Sequence, residues 1–257
     1  MDFISKNKNK NNDYNAKINI LNRILIKYPN KQFYNSIIPK LIYQTWHTKK
    51  LPPKMKNSVT SIILNNPKFS HYLFDDNDCR EFIKNNYDNN VLNAFDCLIP
   101  GAYKADLWRY CILYKTGGIY LDIKYKSHNN FKFINLTEKE HFVIDIDPHG
   151  VYNACMVCSK GNPKLLDAIN KIVNNVKNKN YSVGALGITG PALLGDIFTK
   201  SEKKNFDMKH EMIYNEKFIT LNNIIVIRMY NSYYEEIKTN QIVQRYDELY
   251  NNRQVYK

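Results

Sequence analysis

Lys104-Ala105-Asp106-Leu107-Trp108-Arg109-Tyr110, followed by Gly117-Gly118-Ile119-Tyr120-Leu121-Asp122-Ile123-Lys124-Tyr125, is the stretch on which the fold turns. Its first half reads as a helix from Ala102 to Thr116, because Tyr103, Leu107, Tyr110, Cys111 and Tyr114 recur at helical spacing and form one apolar stripe. Gly117-Gly118 ends that helix, and Ile119 to Tyr125 reads as a strand. Asp106 and Arg109, three apart, share a helix face off the stripe. On the strand, Tyr120, Asp122 and Lys124 point the same way. Helix, turn and strand thus gather two carboxylates, a guanidinium and an ammonium in a short span. A carboxylate at a strand end is a place to hold a metal or a sugar hydroxyl. A surface Asp–Arg pair beside a capped turn is the other reading of the same spacing.

Working outward, Ile38-Pro39-Lys40-Leu41-Ile42-Tyr43-Gln44-Thr45-Trp46 reads as a strand entering a loop. Pro52-Pro53 breaks the chain, a helix follows to about Asn65, and Phe69 to Phe74 reads as a second strand. Asp75-Asp76-Asn77-Asp78 offers N-caps for a helix through about Asn86. This β-α-β-α alternation argues for an α/β fold, a largely parallel sheet with helices on its faces. Downstream, Asn162-Pro163 opens another helix, with a core face of Leu165, Leu166, Ile169, Ile172, Val173 and Val176. Gly187-Ile188-Thr189-Gly190-Pro191 is a loop, and Ile224-Ile225-Val226-Ile227 a late strand. One domain is expected over residues 37–257. Before it, residues 1–36 hold a polar, low-complexity arm (6–15), expected to be disordered, and an amphipathic basic helix through Ile18, Leu21, Ile24, Leu25 and Tyr28 that ends before Pro29. That helix either docks on the domain or lies on a membrane surface.

The chain has 257 residues, of which 44% are hydrophobic, enough for a core and against wholesale disorder. No apolar run reaches the roughly 18 residues of a spanning helix. The start, Met1-Asp2-Phe3-Ile4-Ser5-Lys6, lacks the apolar region of a secretory signal. Five cysteines do not make a disulfide framework, and Cys155-Met156-Val157-Cys158, without a second pair, reads as buried thiols rather than a zinc site. A soluble, reducing, cytoplasmic setting is expected. The net charge of +13 invites a nucleic-acid or anionic-membrane partner. It is unevenly spread: residues 1–57 hold 12 Lys and Arg against Asp2 and Asp13, a balance of +10, while the rest carries 25 against 22. Any anionic surface contact is therefore expected through residues 1–57. RNA-type aromatic motifs, a phosphate-cradling Gly-rich loop and a nucleophile elbow are absent from the sequence.

The segments Lys104 to Tyr110 and Gly117 to Asp122 resemble the signature of the DXD-containing sugar transferases of glycosyltransferase family 32. That family includes the yeast Golgi initiating mannosyltransferase and is related to the large clostridial glucosylating toxins. Ile38 to Trp46 resembles the family's first strand, and Thr189-Gly190-Pro191 its later loop. The compact form and the Tyr-rich end (Tyr233-Tyr234-Glu235, Leu249-Tyr250, Val255-Tyr256) are most similar to members encoded by large DNA viruses, which would set the protein in a host cell or virion. The resemblance implies a GT-A fold, a Rossmann-like mixed sheet flanked by helices. It also implies transfer of a sugar, with retention, from a UDP- or GDP-sugar donor to a glycan or glycoprotein acceptor, usually with Mn²⁺ or Mg²⁺. It places Trp46 on the nucleotide base, Asp106 and Arg109 on hydroxyls of the donor sugar, and Tyr120 beside the nucleoside. Asp122 falls at the ribose and the metal, and Asn153 at the donor-sugar or acceptor side.

One residue departs from the pattern: Lys124 stands where the family has its second acid, giving Asp122-Ile123-Lys124. Three readings are open. A metal is held by Asp122 with Glu235 or Glu236; Lys124 itself stabilises the diphosphate; or catalysis is lost and the chain is a sugar- or nucleotide-binding protein. A basic nucleic-acid or membrane-surface protein acting through its arm is the rival outside this family. Asp145-Ile146-Asp147 repeats the acid spacing without the preceding glycines and reads as a decoy or an acceptor-side feature. His47 reads as a surface-loop residue within reach of a diphosphate.

Overall fold

The computed structural model describes residues 17–240 and 245–257, so the polar arm at 6–15 lies outside the described residues. The decisive turn forms as its glycines require. Gly117 and Gly118 have φ of +66° and +114°, and a Cβ on Gly118 would lie 2.8 Å from the Leu41 carbonyl. The chain can thus leave helix α5 (Gly101–Thr116) and enter strand β3 (Gly118–Leu121) directly beside β1 (Leu41–Thr45).

Four strands make the first sheet, in the order β2 (Ser70–Phe74), β1, β3, β6 (Cys155–Cys158). The first three run parallel and β6 is antiparallel to β3. Helices α2 (Pro53–Asn65), α3 (Asp76–Asn86) and α4 (Asn89–Cys97) join these strands. Asp75 and Asp78 cap α3 reciprocally, and Asp88 caps α4. A second sheet has the order β4 (Tyr125–Ser127), β9 (Ile224–Met229), β8 (Glu216–Leu221), β7 (Met208–Ile213), β5 (Val143–Ile144). Its β7–β8–β9 meander turns at Tyr214-Asn215 and Asn222-Asn223, all four with positive φ, as two-residue hairpins demand. Helices α6 (Pro163–Lys177), α7 (Pro191–Ile197), α8 (Lys200–Lys204), α9 (Tyr233–Asn240) and α10 (Tyr246–Asn251) complete the chain.

The strand alternation divides the core in two. Tyr43, Tyr120, Met156 and Cys158 point to the helical side, with Trp108, Leu107, Ile169 and Leu194. Ile42, Ile119, Leu121, Cys155 and Val157 point to the other side and join Tyr125, Ile219, Leu221 and Ile227 of the second sheet. Cys155 and Cys158 are buried free thiols, as expected, but on opposite faces of the sheet.

The mixed sheets flanked by helices match the expected α/β class. Three local expectations need correction. The strand expected from Ile119 to Tyr125 breaks after Leu121. Tyr125 N–H returns to the Asp122 carbonyl at 3.0 Å, and the chain crosses there from the first sheet to the second. Helix α5 buries more than the expected stripe: Asp106, Trp108, Arg109, Ile112 and Leu113 are buried along with Tyr103, Leu107, Tyr110 and Cys111, while Tyr114 is only half-buried. The N-terminal helix α1 spans 17–25 and stops before Tyr28. The side chains of His128 and Asn129 bond to the Ile24 carbonyl, both at 2.8 Å, and Asn129 also bonds to that of Ile26, taking the acceptors a further turn would use. Helix α1 docks as one of its two readings expected, through Ile20 and Ile24 against Ile213, Phe218 and Ile225 and through Arg23 to Glu211 at 2.6 Å. No helix among the described residues is long and apolar enough to cross a membrane.

Candidate active site

Parallel β1 and β3 end side by side, with Tyr43 opposite Tyr120. Trp46 follows the end of β1 and Asp122 follows the end of β3, so both leave the sheet at its carboxyl edge, where open α/β sheets hold ligands. Trp46 and Tyr233 pack against a cluster that includes Ile123, the residue between Asp122 and Lys124.

Asp122 is the hub of the charges. Its Oδ1 accepts from the Tyr120 hydroxyl at 2.7 Å and lies 3.3 Å from Arg109 Nη1. Its Oδ2 lies 2.7 Å from Lys124 Nζ. Arg109 also reaches Asp106 Oδ1 through Nη2 at 3.2 Å, donates from Nη1 to the Asn153 carbonyl at 2.9 Å, and rests on the Tyr120 ring at 4.4 Å. Asp106 is held on both oxygens: Asn153 Nδ2 donates to Oδ1 at 2.9 Å and Thr189 Oγ1 to Oδ2 at 2.7 Å. Asn153 further donates to the Tyr110 hydroxyl at 2.8 Å, and Tyr110 donates to the Thr189 carbonyl at 3.1 Å. Lys124 sits over the rings of Tyr125 and Tyr152, at 5.4 and 5.5 Å.

Six of the seven expected residues (Asp106, Arg109, Tyr120, Asp122, Lys124 and Asn153) therefore meet in one bonded cluster, and Trp46 borders it. They are not equally open. Asp106, Arg109, Asn153 and Tyr120 are buried, whereas the side chains of Asp122 and Lys124 each keep 19% of their surface exposed. Thr189 and Tyr110 complete the cluster, although Thr189 was legible only as part of a loop motif and Tyr110 only as core. Burial raises the Asp106 carboxyl, and Arg109 and Thr189 offset this only in part. Burial acts the same way on Asp122, but Lys124 and Arg109 outweigh it and hold that carboxyl below its usual range.

The donor set does not suit a divalent cation. Both oxygens of Asp122 are engaged, two of the engaging groups are cations, and one of these is the lysine in the second-acid position. Glu236, one of the expected alternative ligands, instead accepts from the Lys54 and Met55 amides at 2.8 and 3.0 Å, at the start of α2, and from the Tyr230 hydroxyl. Glu235 is largely exposed, 4.0 Å from Lys54 Nζ. Among the described residues, no group of three or more His, Cys, Asp or Glu is placed to hold a metal. In the repeat motif, Asp145 accepts from His210 Nδ1 at 2.8 Å and Asp147 from the His149 amide at 3.0 Å. His47 is exposed and lies against the Trp46 ring. A groove of about 420 Å³ runs between β2 and α3, lined by Tyr72, Phe74 and Phe82 among others, and none of the candidate residues lines it.

Residues 52–143 match the family described as "glycosyltransferase sugar-binding region containing DXD motif". That segment runs from the start of α2 into β5 and contains Asp106, Arg109, Tyr120, Asp122 and Lys124. Over this segment the chain is similar to the DXD-containing glycosyltransferases. It is 32% identical to inositol phosphoceramide mannosyltransferase 3 of Schizosaccharomyces pombe over 170 residues, 66% of this chain and 47% of the relative. It is 28% identical to an uncharacterized glycosyltransferase of Acanthamoeba polyphaga mimivirus over 175 residues, 66% of this chain and 68% of that one. The chain spans about half the length of the two S. pombe mannosyltransferases it matches first, 47% and 48%. Among solved structures, the PaToxG glycosyltransferase aligns over 64% of this chain and 69% of its own, at 16% identity and a TM-score of 0.49.

Proposed function

We propose that residues 37–257 form a nucleotide-sugar-dependent glycosyltransferase domain. It moves a hexose from a UDP- or GDP-sugar to a glycan or glycoprotein acceptor, with retention at the anomeric carbon. The observation that carries this reading is the convergence of Asp106, Arg109, Asp122 and Lys124 at the carboxyl ends of parallel strands, inside the segment that matches the sugar-binding family. On this reading Trp46 stacks on the base at the mouth of the cluster. Asp106 and Arg109 orient donor-sugar hydroxyls, with Asn153 and Thr189 fixing the rotamer of Asp106. Tyr120, buried beneath Arg109, positions Asp122 and Arg109 from the nucleoside side.

The test is a panel of UDP- and GDP-sugars, mannose among them because the S. pombe relatives are mannosyltransferases by name, with released nucleotide measured. Turnover of one donor, lost in Asp106→Asn, is the expected result. No turnover and no binding of any donor would falsify the reading.

The exposed side of α1 favours one partner beyond the donor and acceptor. Ile18, Leu21 and Leu25 recur at i, i+3 and i+7 and are exposed, as are Ile26, Phe33 and Ile37 farther on. They sit in the segment with a +10 balance. An apolar stripe among basic residues fits an anionic lipid surface, and we assign that contact to residues 1–57.

A further inference from the structure

We propose that the Lys124 ammonium takes the place of the divalent cation at this site, and that sugar transfer runs without a bound metal. This rests on the glycosyltransferase reading and decides what neutralises its leaving group.

The geometry points to an internal cation. Lys124 is pinned 2.7 Å from Asp122 Oδ2, and Arg109 lies 3.3 Å from Oδ1, so the carboxylate has a cation on each oxygen. A divalent ion approaching Asp122 would have to displace one of these charges and then sit beside it. Other acids nearby are committed elsewhere: Asp106 to Asn153, Thr189 and Arg109, Asp145 to His210, and Glu236 to the first amides of α2. Lys124 is also held in place, between the Tyr125 and Tyr152 rings. The Asp122 carboxylate and the two ring faces together give the ammonium a fixed place at the cluster. Asp122 takes one of its three N–H donors, leaving two for phosphate oxygens at the open edge of the cluster.

Charge balance agrees. Asp106, Asp122, Arg109 and Lys124 cancel, so the pocket meets an anionic diphosphate as a neutral site. With an acid at position 124 the same four positions would carry two net negative charges, and a divalent cation would be needed to offset them. In the transfer, the bond from the anomeric carbon to the diphosphate oxygen breaks, and its electron pair leaves with the diphosphate. The acceptor oxygen bonds to the anomeric carbon, and the acceptor proton passes to the departing diphosphate. Lys124 stabilises the charge that develops on that leaving oxygen.

The experiment uses the full chain stripped with excess EDTA. Nucleotide release is then followed with EDTA or with added Mn²⁺, and GDP and UDP binding is measured by calorimetry in EDTA. Free Mn²⁺ is read by its EPR signal. Wild type should turn over within about twofold of the same rate in both conditions and lower the free Mn²⁺ signal no further than the same nucleotide does without protein. Lys124→Met should lose roughly 100-fold in turnover, bind the diphosphate about tenfold more weakly in EDTA, and gain nothing from Mn²⁺. Lys124→Asp should become Mn²⁺-dependent and quench the EPR signal on binding nucleotide. Wild-type activity that collapses in EDTA and returns with Mn²⁺ overturns this proposal while leaving glycosyl transfer intact. Failure to bind or turn over any donor in every condition overturns the glycosyltransferase reading as well. If Lys124→Asp does not fold, the wild-type comparison and Lys124→Met still decide.

Discussion

Asp106 and Asp122 are carboxylates of one buried cluster, and their surroundings push them in opposite directions, the first up and the second down. The difference lies in their partners. Asp122 has a cation on each oxygen, whereas Asp106 relies on one arginine and two neutral donors. Thr189 is therefore a sensitive position. Thr189→Val keeps the side-chain shape and removes the donor to a buried carboxylate, which should cost about 1–3 kcal/mol in a denaturant titration. Thr189→Ser should recover most of it, and equal stability of the valine variant and wild type would show that the hydroxyl does not hold Asp106. The acid–base pairs of this cluster were legible in the sequence because their spacing is local. Thr189 and Tyr110 were not assigned to the site, because their roles come from contacts across 83 and 79 residues that no local pattern encodes.

At the scale of elements, the turn between α5 and β3 sets where the cluster stands. Gly118→Ala places a methyl group 2.8 Å from the Leu41 carbonyl at a φ that L residues avoid. It should cost roughly 2 kcal/mol or more. Gly161→Ala, also at positive φ but with open space around it, should cost about 1 kcal/mol. Thermal melts of the two variants compare crowding with backbone strain alone, and equal losses would count against the crowding. The same turn marks what the sequence reading missed. Ile119 to Tyr125 alternates like one strand, yet residues on its two halves belong to different sheets. Which sheet a strand joins is set by distant partners, here Val157 for Ile119 and Met229 for Tyr125. The β7–β8 hairpin was missed as well. Its Tyr214-Asn215 turn is a weak signal, and Met208 to Ile213 mixes charged and apolar residues on a strand that β5 covers only at its first two residues. Helices with strong caps, α3 and α6, were legible because Asp75 and Asn162 act within three residues of themselves.

For the whole molecule, charge is the polarised property. The first 57 residues carry +10 of the total +13, and the described part of that segment shows exposed Leu21, Leu25 and Phe33. Cosedimentation should find the protein on vesicles containing phosphatidylserine and not on neutral phosphatidylcholine. Binding should weaken as salt rises and fall further in Leu21→Glu/Leu25→Glu. Equal binding to both vesicle types, or to neither, would sink the anionic-surface assignment, and salt-sensitive capture of DNA instead would revive the nucleic-acid reading.

The crossing at Asp122–Lys124 carries one more implication. Those residues are the splice between two hydrogen-bonded networks, one ending in Leu121 and the other beginning in Tyr125. Mechanical slack in either sheet is therefore transmitted to the same ion pair. The pairing of Tyr125 with Met229, remote in sequence, works as a tether on the Lys124 backbone, and Tyr230 N–H adds a second one at the Lys124 carbonyl, 3.0 Å away. The stiffness of the charge pair is thus a joint property of the strand that precedes it and of β9, which returns to it about a hundred residues later.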